Sequence, residues 1–353
     1  MTQLSVFFQN ARVTELGKIK AGGLGAERVS PAGKKWRAPE KYDHMIVTTL
    51  HRSPAGDLIE DAGLMKQLIE QYGDKDGKLR QLPIRVLSNE IDDIMQSAYV
   101  WYGGKSVAAR SDGHTVTWFY NKSNGTRLPE PVVEDWKPEM LELVNSKGQK
   151  LFKLHTTLNV VIAAKEAKWG GVYKLRTTSV ISSKQLYQSL MLLHQLTGGI
   201  LVGMPLMLIL RPVQVSPEGK TTTVYVFHIE LRGPDLQQLQ LQAIEQAKWQ
   251  LENRQQVQAI NVEYKRLMLP PGTEQPSEAA EIAEEFQPEN ADDVQPVAPP
   301  KPDAFWQSTI HGKPAEVVDD QGEVQPTPAE RCRQSAENAN SELPDDDLPM
   351  FNG

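Results

Sequence analysis

The chain is predicted to be an α+β protein: twisted antiparallel sheet, in one or more sheets, with one packed amphipathic helix, a long C-terminal helix and a disordered acidic tail. Three observations carry this. Apolar residues recur at period two through much of the first two thirds of the chain, as half-buried strands require. A leucine stripe at helical spacing interrupts them once. Charge then divides the chain: from Thr273 to Gly353 there are 4 Lys+Arg against 19 Asp+Glu, whereas residues 1–272 hold 34 Lys+Arg and 26 Asp+Glu. The net charge of −7 therefore hides a basic body joined to an acidic tract, a layout that points first to nucleic acid or a charged surface as partner.

Residues 1–16 suggest a short strand. The Gly- and Lys-rich run from Gly17 to Arg37 reads as a flexible basic loop, because its glycines lack the spacing of a phosphate-cradling turn. Ile46–Thr49 reads as a strand, and Gly63–Gln71 as a short helix closed by Gly73. Alternation over Leu82, Ile84, Val86, then Ala98, Val100, Tyr102, then Val116, Trp118, Tyr120 predicts a β-meander, with turns at Gly103-Gly104 and Asp112-Gly113. Residues 121–149, with Pro129, Pro131 and Pro138, read as irregular. Strands resume at Leu151–Ala163 and Val172–Thr178. A helix follows, capped by Ser182 or Ser183, striped by Leu186, Leu190, Leu193 and Leu196, and stopped by Gly198-Gly199. Ile200–Val215 and Thr221–Arg232 form a hairpin about Ser216–Gly219.

The predicted units are a β-rich nucleic-acid-binding body (1–233), a long Gln-rich helix (234–269) and a disordered Pro-rich tail with an apolar tip (270–353). The helix carries a thin stripe of Leu236, Leu239, Ala243, Ala247 and Leu251; an arm, an oligomerisation helix or a cover over a sheet face all fit it. From Thr273 on the chain has 11 of the 24 prolines and too little apolar surface to offset the entropy of ordering. The single cysteine, Cys332, excludes a disulfide framework or thiolate metal site. No long apolar run and no signal-peptide pattern is present, so a cytoplasmic protein is expected.

Enzyme signatures are poor. The histidines (His44, His51, His114, His155, His194, His228, His311) are scattered, Asp92-Asp93 and Asp57/Glu60/Asp61 stand without adjacent basic partners, and no nucleophile elbow, Walker loop or dinucleotide fingerprint occurs. No catalytic residue, cofactor or metal is expected. Aromatics interleaved with cations are the stronger signal, since single-strand binders combine a cationic groove with rings that stack bases. The candidate nucleic-acid-binding residues are Lys34, Lys35, Trp36, Arg37, Trp101, Lys105, Arg110, Trp118, Tyr120, Trp169, Tyr173, Lys174 and Arg176. On a strand, residues two apart share a face, so Trp118 projects with Tyr120 and Lys174 with Arg176. The competing reading of each ring is an ordinary core residue.

The run D-D-D-L-P-M-F near the end resembles the acidic tip of bacterial single-stranded DNA-binding proteins, which recruits replication, recombination and repair enzymes. The resemblance implies partner binding through Asp345, Asp346, Asp347, Leu348, Pro349 and Phe351, with Met350 inserted and Asn352-Gly353 following. The body resembles a phage and mobile-element family named for the recombination directionality factors of serine integrases. L-G-K-I-K (16–20), K-L-R-Q-L-P-I-R-V-L (78–87), Y-K-L-R-T-T-S-V-I-S-S (173–183), T-G-G-I-L-V-G-M-P-L-M-L-I-L-R (197–211) and V-Y-V-F-H-I-E-L-R (224–232) carry it. Many relatives have a cysteine cluster that suggests zinc; residues 121–150 here have none, and no metal is carried over. The expected function is a single-stranded DNA-binding accessory protein of phage, plasmid or integrative-element replication or recombination, with partners recruited by the tail. The alternative is a recombination directionality factor acting by protein contact with a serine integrase. Homo-oligomerisation is compatible with either, and no membrane partner is expected.

Overall fold

The computed structural model describes residues 13–29, 35–54, 56–103, 106–121, 125–144, 148–216, 221–233, 235–268 and 270–286; the side chains of residues 24, 26–29, 35–39 and 284 lie outside it. It contains twelve strands: β1 (Glu15–Val29), β2 (Lys35–Arg52), β3 (Leu58–Glu60), β4 (Gln81–Arg85), β5 (Met95–Gly103), β6 (Ser106–Ser111), β7 (Thr115–Tyr120), β8 (Arg127–Asp135), β9 (Lys153–Ile162), β10 (Val172–Thr177), β11 (Leu206–Val215) and β12 (Thr222–Leu231). The helices are α1 (Ala62–Tyr72), α2 (Ile91–Ile94), α3 (Val180–Leu196), α4 (Leu236–Glu252), α5 (Arg254–Leu267) and α6 (Pro276–Phe286), with a 3₁₀ turn at Pro138–Glu142. The α+β expectation holds.

The main path runs β3-β2-β1-β10-β9-β5-β6-β7-β8, and β9 also hands its last residues to β4, which leads to β11 and β12. All pairings are antiparallel except β1 with β10, so the sheet is mixed. Its inner face carries Ile19, Val47, Leu158, Val160 and Leu175, buried against α1 and α3 together with Leu206, Leu208 and Ile229 of the β11–β12 hairpin. Ser179, rather than Ser182 or Ser183, caps α3, and Leu186, Leu190 and Leu193 form its buried stripe. Gly198 and Gly199 end it at φ 64° and 93°, which glycine adopts without steric cost.

Four expectations are corrected. The Gly-rich run after Gly17 is strand, because its glycines admit a close neighbour: a Cβ on Gly17 would lie 2.0 Å from the Thr48 carbonyl oxygen. The irregular stretch 121–149 contains β8, whose Pro129 and Pro131 are tolerated because β8 ends the sheet and owes hydrogen bonds to one side only. β4 does not join the meander, which is β5-β6-β7-β8; it pairs with β9 and β11 instead. The long helix is two helices meeting at Asn253, and only Leu239 and Ala243 of its expected stripe are fully buried, while Leu236 and Leu251 are exposed.

A second apolar cluster holds Trp101, Trp118, Leu151 and Phe152 on the side of the meander away from α6. Register explains the assembly: Trp101 opposes Ala109, which opposes Trp118, so two large rings flank one small residue and meet edge-on with centroids 6.2 Å apart. Trp101→Ala should therefore lower stability by about 3–5 kcal/mol through the cavity it leaves, read from denaturant melts; a loss below ~1 kcal/mol would contradict this packing.

Candidate functional site

The sheet face opposite the main core is built from charge. Lys18 and Lys20 project from β1 at period two, and the parallel register sets Lys18 directly opposite Lys174 of β10. Arg176 follows Lys174 on the same face, beside Thr157 and Asn159 of β9. Like charges directly opposite repel, so such a face needs carboxylates. Glu15 supplies one, lying 2.8 Å from Lys174, 3.6 Å from Arg176 and 3.9 Å from Lys18.

The remainder comes from a segment expected to be disordered. Residues 276–286 form α6, whose Ala279, Ile282 and Ala283 are buried against Ala98, Val100 and Tyr102 of β5. Its other side lies on the cations. Glu278 pairs with Lys174 at 3.2 Å and with Arg176; Glu281 pairs with Lys18 and, at 2.8 Å, with Arg52; Glu285 pairs with Lys20 at 2.8 Å. Lys153 Nζ donates to the Phe286 carbonyl oxygen at 3.0 Å, at the helix C-terminal end where a cation is favoured. Upstream, Tyr102 Oη donates to Glu274 at 3.1 Å, and the turn at Gly272 closes over Arg110. Composition averaged over the whole acidic tract hid α6, because most of its prolines and acidic excess belong to residues 287–353.

Burial shapes the protonation of these groups. Desolvation raises the Glu274 carboxyl above its ordinary value and lowers the Lys18 ammonium, the latter with help from Arg176. For Glu281 burial also pushes upward, but Lys18 and Arg52 outweigh it and hold the carboxyl below its ordinary value. Burial takes the His155 imidazole down to about 3, so it stays neutral between Tyr102 and Phe286.

The sequence-predicted site residues fall into three groups. Lys174, Arg176 and Arg110 do lie on this face, and they are covered by the protein's own carboxylates or backbone. Trp101, Trp118 and Tyr173 are corrected: each is buried, at 2%, 3% and 1% exposure, and offers no ring to a base. Their strands present a second, inward face, and large rings are worth most there. Tyr120 is partly buried with its hydroxyl 2.8 Å from Ser106, while Trp169 stands 73% exposed in the β9–β10 turn, well apart from a stacking row. Lys34, Lys105 and the tip residues Asp345–Phe351 lie outside the described residues, as do the side chains of Lys35, Trp36 and Arg37. Missed were Lys18, Lys20, Arg52 and Lys153; the period-two lysines of L-G-K-I-K were the available signal.

The other sequence clusters have local structural work. Asp61 caps α1 by accepting from Leu64 N at 3.3 Å, and Ser88 Oγ donates to Asp93 at 3.1 Å. Asp43 joins β2 to the start of β4 through Lys78 and Arg80 at 2.6 and 2.9 Å, with Lys78 first among the partners that hold its carboxyl far below the usual range. Among the described residues no group of three or more His, Cys, Asp or Glu is placed to hold a metal ion, and no helix is long and apolar enough to cross a membrane.

Fold and face together define a sheet protein with a charge-built outer surface closed by its own acidic helix. Residues 16–232 match the Gp3-like family, described as recombination directionality factor-like, and with more than half its length matched the chain belongs to that family. It is thus a recombination-related protein, and α4, α5 and α6 lie beyond the matched span. No curated protein and no solved structure matches the chain.

Because the Glu281 carboxyl is depressed, its pairing stabilises the fold above the ordinary carboxylate range and is lost as pH falls through the depressed value. The stability gap between the parent and Glu281→Gln in denaturant melts should be largest near neutrality and close in acid. A gap that widened on acidification would show that the pairing is not stabilising.

Proposed function

We propose that the protein is a non-catalytic accessory factor of phage or mobile-element recombination that acts by protein contact, with a serine integrase as partner. Family membership supports the recombination setting. The observation that carries the contact is an apolar stripe on α4. Leu239 and Ala243 anchor this helix to the core, and Asn89 Nδ2 donates to Gln250 Oε1 at 2.9 Å. Leu241, Ile244 and Leu251, spaced by 3 and 7 residues, lie turned away from that anchored side and are 61%, 50% and 71% exposed. Trp249, also exposed, adds the residue type most often found at the energetic centre of protein interfaces. Exposed apolar rows on a helix are the usual signature of a helix-mediated contact.

A second reading is binding of single-stranded DNA, with partners recruited by the tail tip. One observation favours it, the gathering of Lys18, Lys20, Arg52, Lys174 and Arg176 on one sheet face. With Trp101, Trp118 and Tyr173 in the core, such binding would rest on phosphates and would fall steeply with salt.

The test is capture of the integrase encoded alongside it by the full chain, and reversal of that enzyme's reaction direction. Leu241→Glu with Ile244→Glu should leave the melting midpoint within a few degrees of the parent and weaken capture about ten-fold or more, the expectation for losing central apolar contacts. Unchanged capture and unchanged direction would sink the proposal.

A further inference from the structure

We propose that the outer cationic face is a site for the phosphates of a single nucleic-acid strand, and that α6 is its built-in, displaceable occupant. This deepens the second reading above and is independent of the α4 stripe.

Three features of the interface separate α6 from an ordinary packed helix. First, its carboxylates are arranged as a line charge. Glu278, Glu281 and Glu285 share one helical side, and seven residues at 1.5 Å rise span about 10 Å. A strand in B-form geometry carries one charge per ~3.4 Å, so about four phosphates span the same length. Of the carboxylates paired with Lys18, Lys174 and Arg176 among the described residues, Glu15 alone belongs to the sheet; the others arrive with α6. Take α6 away and those cations need another anion of similar pitch.

Second, the apolar seat of α6 is slight. Among its described residues, two of the three that are fully buried are alanines and Ile282 is the only large one, with Phe286 packed half-buried at the end. By comparison α3 drives Leu186, Leu190 and Leu193 into the main core. Docking of α6 therefore leans on ion pairs as well as on buried area, and salt and competing polyanions act first on the more open ones, Glu281 with Arg52 and Glu285 with Lys20.

Third, the interface is open at one end. A cleft of about 260 Å³, lined by Lys20, Arg52, Gly22, Tyr42, Glu281 and Glu285, lies at the C-terminal half of α6. A smaller one of about 30 Å³ lies at Lys174, Arg176 and Glu278. An incoming strand thus has Lys20 and Arg52 to engage in the larger cleft before α6 has left, whereas the gap at Lys174 and Arg176 has room for little more than a water. An acidic peptide carries the same sign of charge, but the hydroxyl and amide groups of Thr157 and Asn159 beside Arg176 are uncharged donors suited to sugar and phosphate oxygens.

The experiment uses the full chain and a fluorescently labelled oligothymidine strand, with anisotropy read at low and at moderate salt. The variant carrying Glu278→Gln, Glu281→Gln and Glu285→Gln should bind about ten-fold tighter than the parent at low salt, with the gain shrinking as salt rises. Polyglutamate added to the variant should compete weakly. If parent and variant bind measurably and equally while their circular dichroism and melting midpoints agree, α6 is no occupant and the proposal fails. If neither binds although α6 in the variant becomes open to protease, the strand reading itself fails. If polyglutamate binds the variant as tightly as the strand does, the site is one for acidic protein and the proposal is overturned. Should the triple variant not fold, Glu285→Gln alone, at the more accessible rim, should still give a gain of about two-fold, and no gain would overturn the proposal equally.

Discussion

Lys18 and Arg176 reach into a layer between the sheet and α6 where little water remains, and each is matched there by a carboxylate. Buried charge is tolerated only when it is paired and hydrogen-bonded, and removing one partner of such a pair typically costs ~3–5 kcal/mol. The β1–β10 register makes the requirement unavoidable, because it sets Lys18 against Lys174 with Arg176 next along the strand. Glu15 alone cannot neutralise three cations. The sheet therefore depends on an acidic segment that arrives from more than a hundred residues later in the chain.

This dependence links architecture to function. The inner face of the sheet is an ordinary apolar core, indifferent to ions, in which Ile19, Leu158, Val160 and Leu175 hold β1, β9 and β10 against the helices. The outer face is different in kind: its order is largely electrostatic, and its partner helix buries few large side chains of its own. A surface stabilised in that way can exchange one polyanion for another at modest cost, which an apolar interface of the same size could not. The α4–α5 arm, anchored by Leu239, Ala243 and Asn89, offers a separate apolar surface for a protein. The two proposed contacts, with a protein and with a strand, thus draw on separate surfaces.

Much of the fold was legible in the residues. Period-two alternation located β5, β7, β9 and β10, and the Gly198-Gly199 stop and leucine stripe located α3, because these signals are local. What escaped depended on neighbours distant in sequence. Gly17 is strand because Thr48 comes close to it, and β8 keeps its prolines because it is the last strand of the sheet path. The site was half legible. Lys174 and Arg176 were found by their shared face, but alternation alone does not say which face is inward, so Trp101, Trp118 and Tyr173 were assigned to the wrong side. Glu278, Glu281 and Glu285 do stand at helical spacing alongside the apolar row Ala279, Ile282, Ala283 and Phe286, a pattern drowned by the acidic, Pro-rich run behind it.

The most direct measurement is hydrogen exchange across the unaltered full chain, with and without a saturating single-stranded oligonucleotide at low salt. Amides of 276–286 should lose protection when the strand binds, while those of β1 and β10 keep or gain it. Strand binding with α6 still fully protected would contradict the account, because the cations would then have been engaged without releasing their internal partner.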